Sequence, residues 1–411
     1  MRSARSTGRL TIYLGAFGQP GHAFPMLALG ARLVARGHRV AYETWSRWRE
    51  PVEAAGMEFV AAPEYPVFPT RERPLKPYEA VVLAAAESRR AIVGRAPDVV
   101  VQDILTLAPA MAAELEGIPF ATLIPHVSPV GAPGFPPYSF GARIPRTRLG
   151  ASLWRTLDRP VERGLRRGRT ELNETRSRLG LPPVERLHGG LSPHLCLFGT
   201  LPQLEYPRAW PPEAHIVGPL MWEPPFAEVE LPAGDEPLVL IAPSTAQDPE
   251  QRLLTCALEG LAGEPIRVLA TTNRKPLPRP VAPPANARLV EWLSYSRTIP
   301  RAALVVCHAG HGTVVRALAC GTPLLAVPHS GDMAENAARI DWAGVGLRLP
   351  WRMLSPATLR LAVRRALGQE RFALQARTLA RWAHDHDGPT RAAELVEELA
   401  FSRGATRART R

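Results

Sequence analysis

The segment that most constrains the fold is an apolar, β-branched run that turns through glycines into a helical pattern. It passes from Val305 through His308 and Gly310 to Thr313, and the apolar stretch Val314–Ala319 follows. A strand that enters a helix in this way presents backbone N–H groups at the positive end of the helix dipole. Glycine also allows an anion to approach the backbone closely. The segment therefore predicts a strand–turn–helix unit with a phosphate site, although an ordinary connection with glycines for steric reasons fits the same residues.

The residues that follow extend the pattern. From His308 to Gly346 the chain reads HAGHGT, VVRAL, CGTP, LLAVP and GDMAENAARI in order. This stretch resembles the donor-binding signature of the family 1 glycosyltransferases, which transfer sugars from nucleoside-diphosphate donors to small acceptors. The resemblance implies an α/β protein of GT-B architecture, in which two Rossmann-like, doubly wound domains face a central cleft. It also implies an enzyme, a glycosyltransferase of the bacterial natural-product type.

The organisation of the chain is consistent with two domains, since 411 residues exceed the ~150 residues typical of one domain. Apolar runs separated by helical patterns, the first of which runs from about Phe24 to Arg36, predict parallel strands. These runs are Leu10–Gly15, Arg39–Thr44, Met57–Ala61, Val99–Gln102, Phe120–Ile124, Leu195–Phe198, Leu238–Ala242, Arg267–Ala270, Leu304–Cys307 and Leu324–Val327. Pro-rich stretches at 63–76 and 127–150 predict long loops.

Composition and the resemblance together predict the boundaries. A Pro-rich, acidic stretch without periodicity predicts a linker. We expect an acceptor-binding domain at 1–216, the linker at 217–236, a donor-binding domain at 237–388, a helix at 389–402 that in this family crosses back to the first domain, and a disordered basic tail at 403–411.

The resemblance assigns the catalytic base to His22, which stands in a Gly-His-x-x-Pro context after the first strand. Its partner would be Asp103, at the end of a strand preceded by Pro97 and Asp98. A neutral imidazole can accept a proton near pH 7, and a carboxylate behind it fixes the tautomer and stabilises the imidazolium. Without the resemblance, His22 is a histidine at a helix start and Asp103 is a helix N-cap.

The resemblance also implies a donor site in the second half of the chain. The diphosphate would lie against Gly312, Thr313 and His308, and the nucleobase against Trp292. The predicted set is Ser244, Thr245, Trp292, Leu293, His308, Gly310, His311, Gly312, Thr313, Asp332 and Met333. Other readings stay open: Ser244 and Thr245 as helix caps, Trp292 as a core residue, and Asp332 in a capping box with Glu335.

The chain departs from the family pattern at three places. Arg316 replaces the glutamate that grips the ribose hydroxyls, Ser294-Tyr295 replaces Pro-Gln, and Met333 replaces a glutamine that contacts the sugar. Each change removes a polar contact expected for a uridine-diphosphate sugar. We therefore expect a deoxythymidine-diphosphate deoxysugar as donor, with a uridine-diphosphate sugar as the next choice.

The segment His384–Asp387 contains two histidines and two aspartates, but alternate residues on a turn point in different directions. We expect no metal site there and no cofactor, because the nucleotide sugar is a substrate. The cysteines Cys196, Cys256, Cys307 and Cys320 lie at scattered spacings in apolar runs, which favours reduced, buried thiols over zinc ligands.

The net charge of +12 is almost entirely due to arginine. No aromatic-interleaved basic strand or recognition helix is visible, so we expect no nucleic-acid partner. No window reaches the ~18 apolar residues of a membrane span, although the basic surface is compatible with weak contact with a membrane surface. The first residues lack the apolar core of a signal peptide, and we expect a cytoplasmic monomer or homodimer.

The predicted reaction is inverting, metal-independent transfer of a sugar to a hydroxyl group of a lipophilic aglycone, as in antibiotic biosynthesis. Plausible acceptor-pocket residues are His126, Phe135 and Tyr138. Two alternatives stay open. The same architecture hosts nucleotide-sugar 2-epimerases, which need neither an acceptor base nor an apolar acceptor pocket, and it could also serve a catalytically silent binding or auxiliary subunit.

Overall fold

The computed structural model describes residues 8–63, 78–226, 228–244, 248–277, 280–329 and 331–409. Its strands form two parallel sheets. The first sheet contains β1 (Thr11–Gly15), β2 (Arg39–Thr44), β3 (Glu58–Ala61), β4 (Val99–Asp103), β5 (Phe120–Ile124), β6 (Cys196–Phe198) and β7 (Ala214–Ile216). The second contains β8 (Leu238–Ala242), β9 (Arg267–Thr271), β10 (Ala287–Val290), β11 (Leu304–Cys307), β12 (Leu324–Ala326) and β13 (Gly346–Arg348).

Helices cover the sheets. They are α1 (Pro20–Ala35), α2 (Arg49–Ala54), α3 (Glu79–Arg95), α4 (Ala108–Leu115), α5 (Arg148–Arg155), α6 (Asp158–Arg178), α7 (Arg252–Gly260), α8 (Tyr295–Thr298), α9 (His311–Ala319), α10 (Asp332–Ala343), α11 (Pro356–Leu367), α12 (Glu370–Asp385) and α13 (Gly388–Arg409). Three-residue 3₁₀ helices occupy Ser46–Trp48, Pro202–Leu204, Ile299–Arg301 and Trp351–Met353. In the described part of the chain, no helix combines the length and the apolarity needed to cross a bilayer.

The order of the strands is doubly wound in both sheets. The first sheet has the order β3-β2-β1-β4-β5-β6-β7 and the second β10-β9-β8-β11-β12-β13, which confirms the predicted α/β class. The order reverses between β1 and β4 in the first sheet and between β8 and β11 in the second. Ligands of such sheets bind outside the carboxyl ends of the strands at this reversal, the topological switch point.

Strand boundaries follow burial. The central strands β4, β8 and β11 are buried at every position, which is why apolar runs in the sequence predicted them. The three strands without a prediction, β7, β10 and β13, lie at sheet edges and are three or four residues long. An edge strand is only partly covered, so it does not need an apolar run.

Two helices extend beyond the predictions. The first helix, α1, begins at Pro20, because proline is preorganised for the first helical turn, so His22 lies inside that turn and not in a loop. The last helix, α13, continues to Arg409, beyond the predicted end at 402. Alanine and arginine have high helix propensity, which accounts for the extension. Most of the loop expected at 63–76 lies outside the described residues.

The last helix belongs to the core of the first domain. Buried residues of α13, including Ala392, Val396 and Leu399, form one hydrophobic cluster with residues of α1 and β1. On the surface of this contact, Arg36 of α1 donates both a 2.7 Å and a 2.8 Å hydrogen bond to the Glu397 carboxylate. Helix α13 therefore completes the core of the first domain.

A buried charge network joins the two domains. Arg339 of α10 pairs with Glu335 on its own helix at 2.9 Å and with Glu205 of the first domain at 3.4 Å, and each of these side chains is at most 3% exposed. The Arg339 guanidinium also lies 3.3 Å from the centre of the Tyr206 ring and donates to the Leu204 carbonyl. These contacts fix α10 against the segment that follows β6.

Candidate functional site

The first switch point brings His22 and Asp103 together. His22 lies in the first turn of α1, after β1, and Asp103 is the last residue of β4, which pairs with β1. Although 81 residues separate them, His22 Nδ1 lies 2.7 Å from Asp103 Oδ1. The Asp103 side chain is completely buried, while that of His22 is 18% exposed. With the carboxylate accepting a hydrogen bond from Nδ1–H, the lone pair of the neutral His22 ring lies on Nε2.

Charge at this site favours the imidazolium form. Burial alone disfavours a charged His22, but the charge and hydrogen bond of Asp103 and the charge of Asp332 outweigh it and raise the pKa of His22. Asp332 is the first residue of α10, in the second domain. The Asp332 carboxylate of the second domain therefore acts electrostatically on the His22 imidazole of the first.

The second switch point lies at the ends of β8 and β11. His308 follows β11, and its Nδ1 lies 3.3 Å from the carbonyl oxygen of Ala242, the last residue of β8. A Cβ at Gly310 would lie 2.3 Å from His308 Nε2, so only glycine permits the ring to occupy this position. Burial lowers the pKa of His308, which keeps the ring neutral without a ligand.

The N-terminus of α9 faces open space. The exposed Gly312 lies in its first turn, and a Cβ added there would meet nothing within 4 Å. Thr313 is half-buried beside it. In contrast, His311 is buried and pairs with Asn336 at 3.1 Å, and burial lowers the pKa of His311 to about 4. His311 therefore braces α9 against α10, and Gly312 faces the open space at the helix start. The Thr313 N–H donates to the Gly310 carbonyl at 3.1 Å.

The other predicted donor residues occupy different environments. Ser244, two residues after β8, is 4% exposed, and Thr245 lies outside the described residues. Leu293 and Met333 are packed in the hydrophobic core of the second domain. The side chain of Met333 therefore packs in the core, whereas the glutamine at this position of the family pattern would contact a sugar.

Trp292 lies in the turn after β10 and not in a strand. Its ring packs against Phe226 at 5.2 Å between centroids, and the Arg274 guanidinium lies 5.2 Å from its centre. The half-buried indole is thus held at the edge of the domain by an aromatic ring and a cation.

Arg316 has a role that sequence reasoning did not identify. Its guanidinium donates to the Trp222 carbonyl at 2.9 Å and lies 3.4 Å from Glu223 Oε2. The Glu223 carboxylate also accepts the backbone N–H groups of Tyr295 and Ser296, at 2.7 and 3.0 Å. Arg316 therefore fastens the linker between the domains to the start of α8, and no spacing signal connects these distant residues.

A cavity of about 720 Å³ opens in the first domain close to His22, which is not itself among the residues that line it. It lies at the carboxyl ends of β1, β2 and β4 and is bounded on the other side by α6. Phe17 lines it, and its ring lies 6.1 Å from that of His22. Gly164 and Gly168 of α6 face this space, where a Cβ would meet nothing within 4 Å.

Glu43 is a buried acid in the wall of this cavity. Its carboxylate accepts hydrogen bonds from the Tyr13 hydroxyl at 2.5 Å and the Ser88 hydroxyl at 2.8 Å. Burial raises the pKa of Glu43, with the two hydrogen bonds acting in the opposite direction. The position of Glu43 inside a strand pattern gave no signal that it would line a cavity.

None of the three predicted acceptor residues lines this cavity. His126 and Tyr138 form a ring pair with centroids 6.0 Å apart, and the charges of His22 and Asp332 act on His126. Phe135 packs edge-on against Tyr206, near the contact between the domains. The loop that carries these residues therefore lies between the domains, and α6 supplies the cavity wall instead.

The segment His384–Asp387 does not gather its side chains. The His386 ring stacks on Trp382 with centroids 4.2 Å apart, and the Asp387 carboxylate pairs with Arg32 at 2.8 Å. Across the residues that the structure describes, no three His, Cys, Asp or Glu side chains lie close enough together to hold a metal ion.

The chain is similar to known enzymes of antibiotic biosynthesis. Residues 258–399 match the family model described as erythromycin biosynthesis protein CIII-like, C-terminal domain. The chain is 30% identical to 4′-demethylrebeccamycin synthase of Lentzea aerocolonigenes, over 92% of this chain and 97% of the relative. It is also 30% identical to O-mycaminosyltylonolide 6-deoxyallosyltransferase of Streptomyces fradiae, over 96% and 98%.

Solved structures share the fold. The kitacinnamycin glycotransferase superposes with a TM-score of 0.75 at 22% identity, covering 95% of this chain and 99% of that one. The glycosyltransferase VinC, solved in complex with dTDP, superposes with a TM-score of 0.68 at 19% identity, covering 96% and 100%. At these identities the likeness concerns the fold alone.

Proposed function

The chain belongs to the nucleotide-sugar glycosyltransferases of antibiotic biosynthesis, and from this premise we propose the reaction, donor and acceptor class of its active site. A sugar moves from a nucleoside-diphosphate donor to a hydroxyl group of a lipophilic small molecule, with inversion and without a metal ion. The observation that carries the proposal is the 2.7 Å contact between His22 and Asp103, together with an apolar cavity whose wall includes Phe17, the aromatic neighbour of His22.

His22 is the general base of the proposed reaction. Asp103 accepts the Nδ1 proton, so Nε2 is free to take the proton of the acceptor hydroxyl. As the proton moves to Nε2, the acceptor oxygen bonds to the anomeric carbon of the sugar. The bond from that carbon to the diphosphate oxygen breaks, and its electron pair leaves with the diphosphate. The single in-line displacement inverts the anomeric configuration.

The start of α9 is the proposed site of the leaving diphosphate. Negative charge accumulates on the phosphate oxygens as the bond breaks, and backbone N–H groups at a helix N-terminus stabilise such charge. Gly312 supplies such a group, and the open space around it admits the phosphate. The Thr313 N–H donates to the Gly310 carbonyl at 3.1 Å, so Thr313 would contribute its hydroxyl group. His308 at the end of β11 and the buried Ser244 at the end of β8 lie on the same switch point.

The proposed donor is a deoxythymidine-diphosphate deoxysugar, with a uridine-diphosphate sugar as the second choice. Arg316 stands at the position of the family's ribose-binding glutamate and is bound to the linker. The nearest acid, Glu223, already accepts hydrogen bonds from two backbone N–H groups. A ribose 2′-hydroxyl would therefore lack its carboxylate partner, which a deoxyribose does not need. The name of the Streptomyces fradiae relative, a 6-deoxyallosyltransferase, agrees with a deoxysugar.

The proposed acceptor is a lipophilic aglycone bound in the cavity beside His22. Its volume of about 720 Å³ lies in the usual range of small-molecule sites, roughly 300–1,000 Å³. Residues such as Phe17, Trp45 and Leu172 form much of its wall. A nucleotide-sugar epimerase has no use for such a cavity, so this observation favours transfer over epimerisation. The contact between His22 and Asp103 argues against a catalytically silent subunit.

Replacing His22 by alanine tests the proposal. We expect His22→Ala to lower sugar transfer by about 10²–10⁴-fold, the usual contribution of a general base, with unchanged binding of nucleoside diphosphate in a thermal-shift assay. The control is His384→Ala, which removes an exposed histidine of the segment His384–Asp387 and should act as wild type with or without chelator. Wild-type turnover by His22→Ala would refute the mechanism.

The same thermal-shift assay tests the donor. Thymidine diphosphate should raise the melting temperature more than uridine diphosphate or guanosine diphosphate, and manganese should not change the order. A larger shift with uridine diphosphate would leave the transferase intact and refute the argument from Arg316. If no nucleoside diphosphate changed the melting temperature, the proposed donor site would be wrong.

A further inference from the structure

Helix α5 turns its apolar side chains towards solvent. Leu149 and Leu153, one helical turn apart, are 81% and 69% exposed. Phe140, in the preceding loop, is 62% exposed, and Val161 at the start of α6 is 39% exposed. An amphipathic helix at a protein surface normally buries its apolar side. Single exposed apolar residues are common, but a group of four within 22 residues indicates an interaction surface.

Arginines surround these apolar side chains. Residues 140–170 contain nine arginines and two carboxylates, a net charge of +7 in a chain whose total is +12. Arg146, Arg148, Arg155 and Arg159 are exposed and form no ion pair with another described residue. The surface formed by Phe140, Leu149, Leu153, Val161 and these arginines, the α5–α6 surface, therefore combines protruding apolar groups with uncompensated positive charge.

This combination fits an anionic lipid bilayer. Arginines bind lipid phosphates at the headgroup level, while leucine and phenylalanine enter the acyl boundary below. A nucleic acid would satisfy the arginines and leave Leu149 and Leu153 in water. A protein partner would need pockets shaped for separate, protruding side chains, whereas a fluid bilayer accommodates them without such a match.

Helix α6 connects this surface to the cavity of the first domain. Gly164, Leu165 and Gly168 line the cavity, while Arg163, Arg166 and Arg167 of the same helix are exposed to solvent. A bilayer bound to the α5–α6 surface would thus be separated from the cavity by the width of one helix. The two glycines leave that wall without side chains where it meets the cavity.

We propose that the α5–α6 surface docks the protein on anionic membranes, so that a lipophilic acceptor enters the cavity from the bilayer. The docking rests on the exposed residues alone, and only the delivery of the acceptor rests on the function proposed above. Screening by salt should weaken the contact, because its arginines act over a Debye length of ~30 Å at low salt and ~8 Å at physiological salt.

Sedimentation of the full chain with vesicles tests the docking. The wild type should bind vesicles that contain phosphatidylglycerol, bind phosphatidylcholine vesicles at least about tenfold more weakly, and dissociate at high salt. The double variant Leu149→Ser/Leu153→Ser should lower partitioning by about 10²-fold or more, since each buried leucine contributes roughly tenfold or more. Both side chains are exposed, so the fold does not depend on them.

A matched control is Leu361→Ser/Leu374→Ser, which removes two leucines of α11 and α12 that are 63% and 52% exposed. This variant should bind vesicles as the wild type does. Equal binding to neutral and anionic vesicles, no binding to either, or wild-type binding by Leu149→Ser/Leu153→Ser would overturn the proposal. One further outcome would overturn the proposal: the wild type does not bind vesicles, while the wild type and the double variant bind a soluble acidic polymer with equal affinity. The arginines alone would then define the surface.

Activity separates this proposal from the function of the site. With an acceptor dissolved in buffer, Leu149→Ser/Leu153→Ser should transfer sugar at the wild-type rate. With the acceptor dissolved in anionic vesicles, the variant should be slower by about the factor lost in partitioning. Equal rates of the wild type and the double variant on acceptor in vesicles would refute delivery from the bilayer. Absence of transfer by the wild type in buffer would refute the proposed function, and the docking would then be tested by vesicle binding alone.

Discussion

Removing Arg339 should destabilise the folded protein more at high pH than at low pH. Arg339 compensates the buried carboxylates of Glu335 and Glu205, at 2.9 and 3.4 Å, and its guanidinium packs on Tyr206. Arg339→Met keeps most of the apolar volume and removes the charge. The two carboxylates then remain buried, and the nearest other cation is Arg208, 4.0 Å from Glu205.

The expected magnitude follows from burial. Breaking a buried pair by removal of one partner costs about 3–5 kcal/mol, because the remaining charge is not compensated. Burial already raises the pKa of Glu205 in the wild type, against the charge of Arg339 and the N–H of Ser128. Without Arg339 this pKa rises further, and the cost grows by up to about 1.4 kcal/mol per pH unit above the unfolded pKa of ~4.3.

The sign of the pH dependence is therefore fixed. A carboxyl group whose folded pKa is raised contributes no penalty below its unfolded pKa, and the folded state loses stability as pH rises towards the folded pKa. Urea unfolding of Arg339→Met should show a loss of about 3–5 kcal/mol at pH 8 that is smaller by at least about 1 kcal/mol at pH 5. Adding Glu335→Gln and Glu205→Gln should recover most of the loss at pH 8.

The control is Arg166→Met, which breaks a pair of the same spacing, Glu162–Arg166, on the surface of α6. Its two side chains are 47% and 63% exposed, so the loss should stay below about 0.5 kcal/mol. A loss of less than about 1 kcal/mol for Arg339→Met at pH 8, or one that does not shrink towards pH 5, would refute the reasoning. The network would then be held by packing and not by charge compensation.

Three further predictions concern titrating groups of the site. Asp103→Asn should lower kcat by about 10²–10⁴-fold and move the acid limb of the kcat/KM profile to lower pH, because Asp103 raises the pKa of His22; a limb that stays in place contradicts this role. Burial raises the pKa of Glu43, so its buried carboxylate destabilises the folded protein at high pH. Glu43→Gln should therefore raise the unfolding free energy by about 1 kcal/mol or more at pH 8 and change it little at pH 4. Equal destabilisation by Glu43→Gln at both pH values contradicts this reasoning. Since burial lowers the pKa of His308 and its Nδ1–H faces a carbonyl, binding of a diphosphate should draw about one proton to Nε2. The binding enthalpy measured by calorimetry should therefore depend on the buffer, and His308→Gln should lose this dependence. A binding enthalpy that is the same in all buffers, or a dependence that His308→Gln retains, contradicts the prediction.

The parts of the fold that the sequence predicted are those with a local cause. Buried strands such as β8 and β11 require unbroken apolar runs, and their boundaries coincide with the predictions. The edge strands β7, β10 and β13 have no such requirement and were missed. Helix α1 begins at Pro20, before the predicted start near Phe24, because a proline in the first helical turn does not interrupt a helix.

The candidate site was predictable only where a motif concentrates it. The residues from His308 to Thr313 are contiguous, whereas the contact between His22 and Asp103 depends on the pairing of β1 with β4 and came from family resemblance. The cavity wall at Gly168 and the pair of Arg316 with Glu223 depend on tertiary packing. No periodicity along the chain encodes contacts of that kind.

The return of α13 to the first domain decides how this protein can be recombined with its relatives. A hybrid that exchanges the second domain at a single crossover in the linker would pair the last helix of the relative with α1 of this chain. In this contact Arg36 binds Glu397, and Val396 packs in the core. Two crossovers are needed, one in the linker and one before Gly388, so that residues 388–409 travel with the half they complete. The second domain is therefore an internal cassette, which can be exchanged while α1 and α13 keep their contact.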